Sequence, residues 1–175
     1  MRDTLILGLK LLLITLVAGL TLGFTNEVTK GPIAEEALRK AEEARRTVLP
    51  AAEAFERLEQ PDGVDSAYVG LKGGDKAGYT ATVTVKGYGG PIEVTVGMDL
   101  NGVVTGVNVG GSGFAETAGL GAKTKEPWFT EQFSGVEPPV VLGENVDAIT
   151  AATISSRAVA SGVNAAAEYM LSLIG

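Results

Sequence analysis

From Leu5 to Phe24 apolar residues follow one another, broken only by Lys10, two threonines and small residues. At about 1.5 Å per residue this run makes a helix of roughly 30 Å, enough to cross the hydrocarbon core of a bilayer. Lys10 lies in its N-terminal third, where the long stem lets the ammonium reach the interface. A cleaved signal peptide is the competing reading. The run is too long for that, and no A-x-A pattern follows it, so residues 1–25 are expected to stay as a transmembrane anchor. The pattern then changes period. Ile33, Ala37, Leu38, Ala41, Ala44, Val48 and Leu49 recur at three- and four-residue spacing, while Arg39, Lys40, Glu42, Glu43 and Arg46 take the other face. Pro32 suits a first helical turn, with Glu35 and Glu36 at its positive end. A helix from Pro32 to about Leu58 is predicted, kinked or broken at Pro50, with residues 26–60 forming a helical stalk.

Beyond it the period falls to two. Ser66–Lys72 reads as a strand closed by Gly73-Gly74-Asp75. In the next strand, Tyr79 to Lys86, the residues Tyr79, Ala81, Val83 and Val85 share one face and threonines the other. Ile92, Val94, Val96 and Met98 share a face after a Gly-rich turn, and Asn101-Gly102 marks a hairpin into a strand from Val103 to Val109. The pattern predicts an antiparallel meander with one buried face. A Gly-rich segment runs from Gly110 to Gly121. A short helix at Trp128–Phe133 and a short strand at Val140–Leu142 follow. A final helix from about Ser155 to Leu173 presents Val159, Val163, Ala166, Ala167 and Met170 to the core. The predicted class is α+β: an anchor, a stalk, and an antiparallel-sheet domain over residues 61–175 closed by a C-terminal helix.

Composition narrows the chemistry. The 175 residues include 21 acidic and 14 basic ones, a net charge of −7, which disfavours nucleic acid as a partner. The mean hydropathy of +0.22 is high for an acidic chain and fits a lipid-facing segment. There is no cysteine and no histidine. Iron–sulfur clusters, thiol redox chemistry, the usual zinc sites and histidine-assisted nucleophiles are therefore absent, and redox work would need an organic cofactor. No metal ligand set and no catalytic residue is assigned. Arg2 and Lys10 on the N-terminal side of the anchor favour a cytoplasmic N-terminus, with the main domain outside.

The stretch from Asp147 to Ser156, DAITAATISS, places hydroxyls and small residues directly before the last helix. Thr153 is expected at or near the N-cap, with Ser155 and Ser156 in the first turn. A helix N-terminus offers unpaired N–H groups and a positive dipole end that together hold phosphate. Ala151 and Ala152 keep the backbone uncluttered, and Arg157 adds a positive charge nearby. From the residues alone a well-capped helix with no ligand is an equal reading.

The stretch resembles the flavinylation motif of the FMN-binding domain family, Asp-x-x-(Ser/Thr)-(Gly/Ala)-Ala-Thr-x-(Ser/Thr). Asp147, Ala152 and Thr153 match its fixed positions, and Ala151 stands where many members have Gly. The resemblance implies that a flavin transferase, using FAD and Mg²⁺, joins FMN through its phosphate to Thr153, with Asp147 serving attachment. A second stretch, Glu116-Thr117-Ala118-Gly119-Leu120-Gly121 with Lys123, resembles the family's Glu-Thr-Pro-Gly-Leu-Gly loop near the flavin. Phe114 stands where a His is usual, and Ala118 where a Pro is. The resemblance implies cofactor contacts by Glu116, Thr117, Gly119, Leu120, Lys123, Thr150 and Ser156. Gly119 and Gly121 also permit close backbone approach, and Lys123 can balance a flavin anion.

Thr25 to Lys30, Val48-Leu49-Pro50 and Gly87 to Ile92 extend the likeness over nearly the whole chain, to the G subunit of Rnf-type ion-translocating ferredoxin:NAD oxidoreductases. This implies a redox subunit of a translocase, single-pass in the bacterial cell membrane with its domain outside the cytoplasm. Its FMN would relay electrons among other membrane subunits. The FMN subunit of a sodium-translocating NADH:quinone reductase, or another extracytoplasmic flavin chain, is the nearest alternative. A flavin-free, membrane-anchored binding or assembly protein is the alternative of another class.

Overall fold

The computed structural model describes residues 2–175, with side chains from Thr4 onward; Met1 and the Arg2 side chain used for orientation lie outside the described residues. The chain divides into two compact units, the first ending at Lys40 and the second Ala41–Gly175.

The described residues of the first unit are helical throughout. They form most of α1 (Arg2–Val48), which runs without a break from the apolar stretch through Pro32. The sequence predicted a fresh start at Pro32. A proline inside a helix leaves the carbonyl four residues back without its donor, and here that residue, Val28, is exposed. The Thr29 hydroxyl meanwhile donates to the Thr25 carbonyl at 2.9 Å, which ties the turn before the proline. The Leu5–Phe24 side chains are exposed, and this helix is long and apolar enough to cross a membrane.

The second unit carries a five-stranded sheet in chain order, every neighbouring pair antiparallel: β1 (Ala54–Arg57), β2 (Ser66–Lys72), β3 (Asp75–Lys86), β4 (Pro91–Met98) and β5 (Val104–Gly110). A 3₁₀ turn (Gly121–Lys125), the short α2 (Pro127–Thr130) and a second 3₁₀ turn (Glu131–Phe133) follow, then α3 (Thr153–Ile174). The meander is as predicted. In β3, Tyr79, Ala81 and Val83 are buried on the face that α3 covers with Val159, Val163, Ala166 and Met170. Gly162 lets α3 come close: a Cβ there would lie 2.9 Å from Val94. Phe129 and Phe133, fully buried and edge-to-face at 5.4 Å, close one end of the core.

The other face is not left open. Thr80 and Thr95 are buried although they sit on the threonine side. The end of α1 lies there, and glycines make the room. Gly97 of β4 pairs with Gly106 of β5, and a Cβ on Gly97 would run into the Val48 carbonyl. A Cβ on Gly70 would sit 2.5 Å from Leu49 and 2.8 Å from Ala52. The Thr105 hydroxyl donates to the Val48 carbonyl, and the Arg45 guanidinium lies 4.2 Å over the Tyr68 ring. Four expectations change. The helix predicted to reach Leu58 stops at Val48, before Pro50. Ala54–Arg57 pairs with β2 as an edge strand, and the compact unit begins at Ala41 where the sequence placed a boundary at 61. Val140–Leu142 forms no strand, only a single bridge from Leu142 to Val146.

Candidate functional site

Three stretches distant in sequence meet at the N-terminus of α3. The first is the β3–β4 turn, Gly87–Gly90, closed by the Gly87 N–H donating to the Gly90 carbonyl at 2.9 Å. The second is the loop from Gly111 to Gly121. Its Thr117 carbonyl accepts from the Leu120 and Ala122 N–H groups, both at 3.1 Å, and Gly119 takes φ +77° to allow that turn. The third is the entry to α3 itself.

Glu116 joins them. One carboxylate oxygen accepts from the Gly89 N–H at 3.0 Å and the other from the Ser155 hydroxyl at 2.6 Å. A Cβ at Gly121 would collide with this carboxylate and with the Ser155 hydroxyl, so that glycine is required by close approach. Glu116 therefore holds loop, turn and helix together around a cleft of about 510 Å³, bordered by Tyr88, Glu116, Thr117, Leu120, Ala151 and Thr153, with Ile154 and Ser155 beside them. That volume is of the size that takes a small organic ligand. Tyr88, Leu120 and Ile154 are exposed apolar or aromatic side chains on its rim, at 70%, 42% and 54% of full exposure. An apolar mouth of this kind suits a flat ring that is wet on one edge.

Ala152 is the N-cap, Thr153 is the first helical residue, and no side chain caps the turn. The first N–H groups of α3 consequently lack a side-chain acceptor, an arrangement that suits an anion. Thr153 is exposed, and its hydroxyl makes no hydrogen bond to any other described residue. Ser156 is buried instead: it accepts from the Ile149 N–H and donates to the Ala152 carbonyl, both at 3.0 Å. It shapes the turn from below and does not border the cleft. Ala151 holds φ +64°, the one non-glycine residue with positive φ among those described.

The expected cofactor contacts thus separate. Thr153, Glu116, Thr117 and Leu120 come together around the cleft, with the motif residue Ala152 beside them; Gly119, Lys123, Thr150 and Ser156 do not line it. Lys123 is carried in the 3₁₀ turn behind the loop. Asp147 is exposed, its own N–H donating to the Gln132 side-chain oxygen at 2.9 Å. Phe114, in the place of the usual His, lies under the Lys125 ammonium, 3.6 Å from the ring centroid. Tyr88 and Ser155 were missed as site residues. A lone exposed tyrosine in a Gly-rich turn carries no periodic signal, and the choice between Ser155 and Ser156 depends on which face of the first turn meets Glu116.

The model of the FMN-binding domain family matches residues 87–168, the segment that supplies every residue of the cleft. The G subunit of the Na⁺-translocating ferredoxin:NAD⁺ oxidoreductase complex of Acetobacterium woodii is 38% identical over 90% of this chain and 87% of its own length. The G subunit of the proton-translocating complex of Clostridium ljungdahlii is 26% identical over 91% of this chain and 87% of the relative. That of the ion-translocating oxidoreductase complex of Cereibacter sphaeroides is 31% identical, covering 91% and 81%. Among solved structures, the C subunit of the Na⁺-translocating NADH-quinone reductase from Parabacteroides distasonis aligns with a TM-score of 0.48 and 24% identity, over 59% of this chain and 60% of that one.

Proposed function

The chain belongs to the G-subunit family of ion-translocating oxidoreductase complexes, and from that membership we propose that it is their flavin-carrying electron relay, with FMN esterified to Thr153. It is a redox subunit of a multi-subunit, membrane-bound ferredoxin:NAD oxidoreductase and works with the other subunits of that complex. FMN supplies a ring that takes up and releases electrons, which a chain without cysteine or histidine cannot offer from its own side chains.

The protein's part is to hold, orient and shield. The exposed Thr153 hydroxyl, at the uncapped start of α3 and open to the 510 Å³ cleft, is the observation that carries the tether. Attachment by a flavin transferase from FAD is a transfer of the FMN phosphate. The threonine oxygen forms the new P–O bond, the bond to AMP breaks, and the hydroxyl proton leaves with the departing AMP. Asp147, exposed six residues before Thr153, is free to meet the transferase's metal. The N–H groups of the first turn of α3 would stabilise the phosphate. Tyr88, Leu120 and Ile154 would cover the ring's apolar surface, and Glu116, bonded to Gly89 and Ser155, would keep the loop beside it in place.

The α1 anchor places the domain at a membrane, and the cations on its N-terminal side support an extracytoplasmic domain. A covalent tether fits that side, where a dissociated cofactor could not be replaced from the cytoplasmic pool. Intact mass of protein made in cells containing the transferase tests the reading. The expected increment is one FMN less one water, mapped to the peptide that contains Thr153 and lost in Thr153→Ala. An unmodified mass for the wild-type chain from such cells would sink it.

A further inference from the structure

Among the described residues, the 510 Å³ cleft is bordered by one charged side chain, Glu116, and by no cation. A phosphodiester at Thr153 would place a second negative charge beside that carboxylate, in a chain already at −7. Compensation has to come from elsewhere. On the other side of Thr153 lies a second groove of about 580 Å³, to which Leu142, Ala148, Thr153, Arg157, Ser161 and Asn164 contribute. Among the described residues, Arg157 is the only charged one lining it. Thr153 and Arg157 are four apart on α3, hence on one face with their Cβ atoms about 6 Å apart.

Arg157 is exposed and makes no hydrogen bond or ion pair with any other described residue. The remaining arginines with described side chains are engaged: Arg39 with Glu36, Arg46 with Glu42, Arg57 with Gln60, and Arg45 over Tyr68. Arg157 also borders a third groove, of about 390 Å³, together with Lys86. The free guanidinium thus borders both of these grooves, and the larger of them is also lined by Thr153. Its fork of donors matches two phosphate oxygens at once, which a lysine ammonium does not.

Resting on the tether at Thr153, we propose that Arg157 is a phosphate-holding residue of the flavin site. Its guanidinium closes on the phosphate from the groove away from Glu116, so the phosphate is gripped between Arg157 and the start of α3. The ring is thereby directed to the Tyr88–Leu120 side.

Phosphorus-31 NMR of the full-length, flavin-loaded protein in detergent reads this contact directly. Loading is checked first by intact mass. Arg157→Gln is expected to shift the phosphodiester resonance and to narrow it as the phosphate gains freedom. Arg157→Lys, which keeps the charge but loses the fork, should shift it less, and Lys72→Gln, on β2, should leave it in place. A loaded Arg157→Gln protein whose resonance coincides with the wild type overturns the proposal while leaving the tether standing. If Arg157→Gln does not load, Arg157→Lys is expected to load and to show the intermediate shift. Failure of both, with unchanged circular dichroism, assigns Arg157 to recognition by the transferase and overturns the proposal. A wild-type chain without the FMN increment removes the tether itself, and this inference falls with it.

Discussion

At the residue scale, Ala151 exposes a conflict that its own motif creates. Its φ of +64° puts an alanine Cβ where an L-residue is disfavoured by about 1–2 kcal/mol. The family's frequent glycine at this position has a conformational reason: the chain must turn left-handed to deliver Thr153 as the first residue of α3. Ala151→Gly removes the strain but returns some unfolded-state entropy, roughly 0.5–1 kcal/mol. The expected net gain is up to about 1 kcal/mol, read as a rise of roughly 3 °C in the thermal midpoint with no loss of flavin loading. A fall in the midpoint would mean that the turn is not left-handed in solution. The same turn shows how far the sequence could be read. Hydroxyl-rich residues put the start of the last helix within two residues of where it lies, because capping chemistry is local. Whether Thr153 caps the helix or begins it turns on one dihedral, and which serine faces Glu116 depends on a loop 39 residues away.

At the element scale, the hairpin between β4 and β5 has its own fixing charge. Asp99 accepts from the Asn101 and Val103 N–H groups, both at 2.9 Å, through one carboxylate oxygen. Partial burial pushes its carboxyl pKa up, but the hydrogen bonds from Val103, Asn101 and Gly102 together outweigh that and hold it below the ordinary value. A depressed folded-state pKa means the ionised form stabilises the fold. That contribution is complete above the unfolded pKa, near pH 4, and drains away as pH falls through the lower folded value. Asp99→Asn should therefore cost about 1 kcal/mol at neutral pH, and the gap between variant and wild-type thermal midpoints should close in acid below about pH 4. A gap that stays constant down to pH 2 would remove the charge from the explanation. Asn101-Gly102 announced this hairpin because turn chemistry and strand alternation agree there. β1 gave no such notice. Ala54–Arg57 is an exposed edge strand with three charged or small residues in four, so alternation had nothing to report. α1 was read as two helices because its apolar pattern changes, from a continuous exposed run to residues buried against the sheet, while one helix is assigned from Arg2 to Val48.

At the scale of the whole molecule, the question is where the flavin domain begins. Charge and period suggested a stalk that ends near residue 60, but the sheet's second face is built to receive the end of α1. Val48 and Leu49 are fully buried against it, and burying two such side chains is worth roughly 3–6 kcal/mol, at 1.5–3 kcal/mol each. Set against a total domain stability of about 5–15 kcal/mol, that is a large share. A fragment starting at Ala41 keeps these contacts, β1 and the Thr105 bond to the Val48 carbonyl. A fragment starting at Pro61 loses all of them, uncovers the glycine-floored face, and leaves β2 as a bare edge open to pairing with other chains. The Ala41 fragment should unfold cooperatively in urea and stay monomeric, whereas the Pro61 fragment should unfold at a much lower midpoint or aggregate. Equal midpoints would show that the helix end merely rests on the sheet. In the expected case the last turns of α1 belong to the flavin domain's own core, and a stalk in the sense of a free connector stops before Ala41.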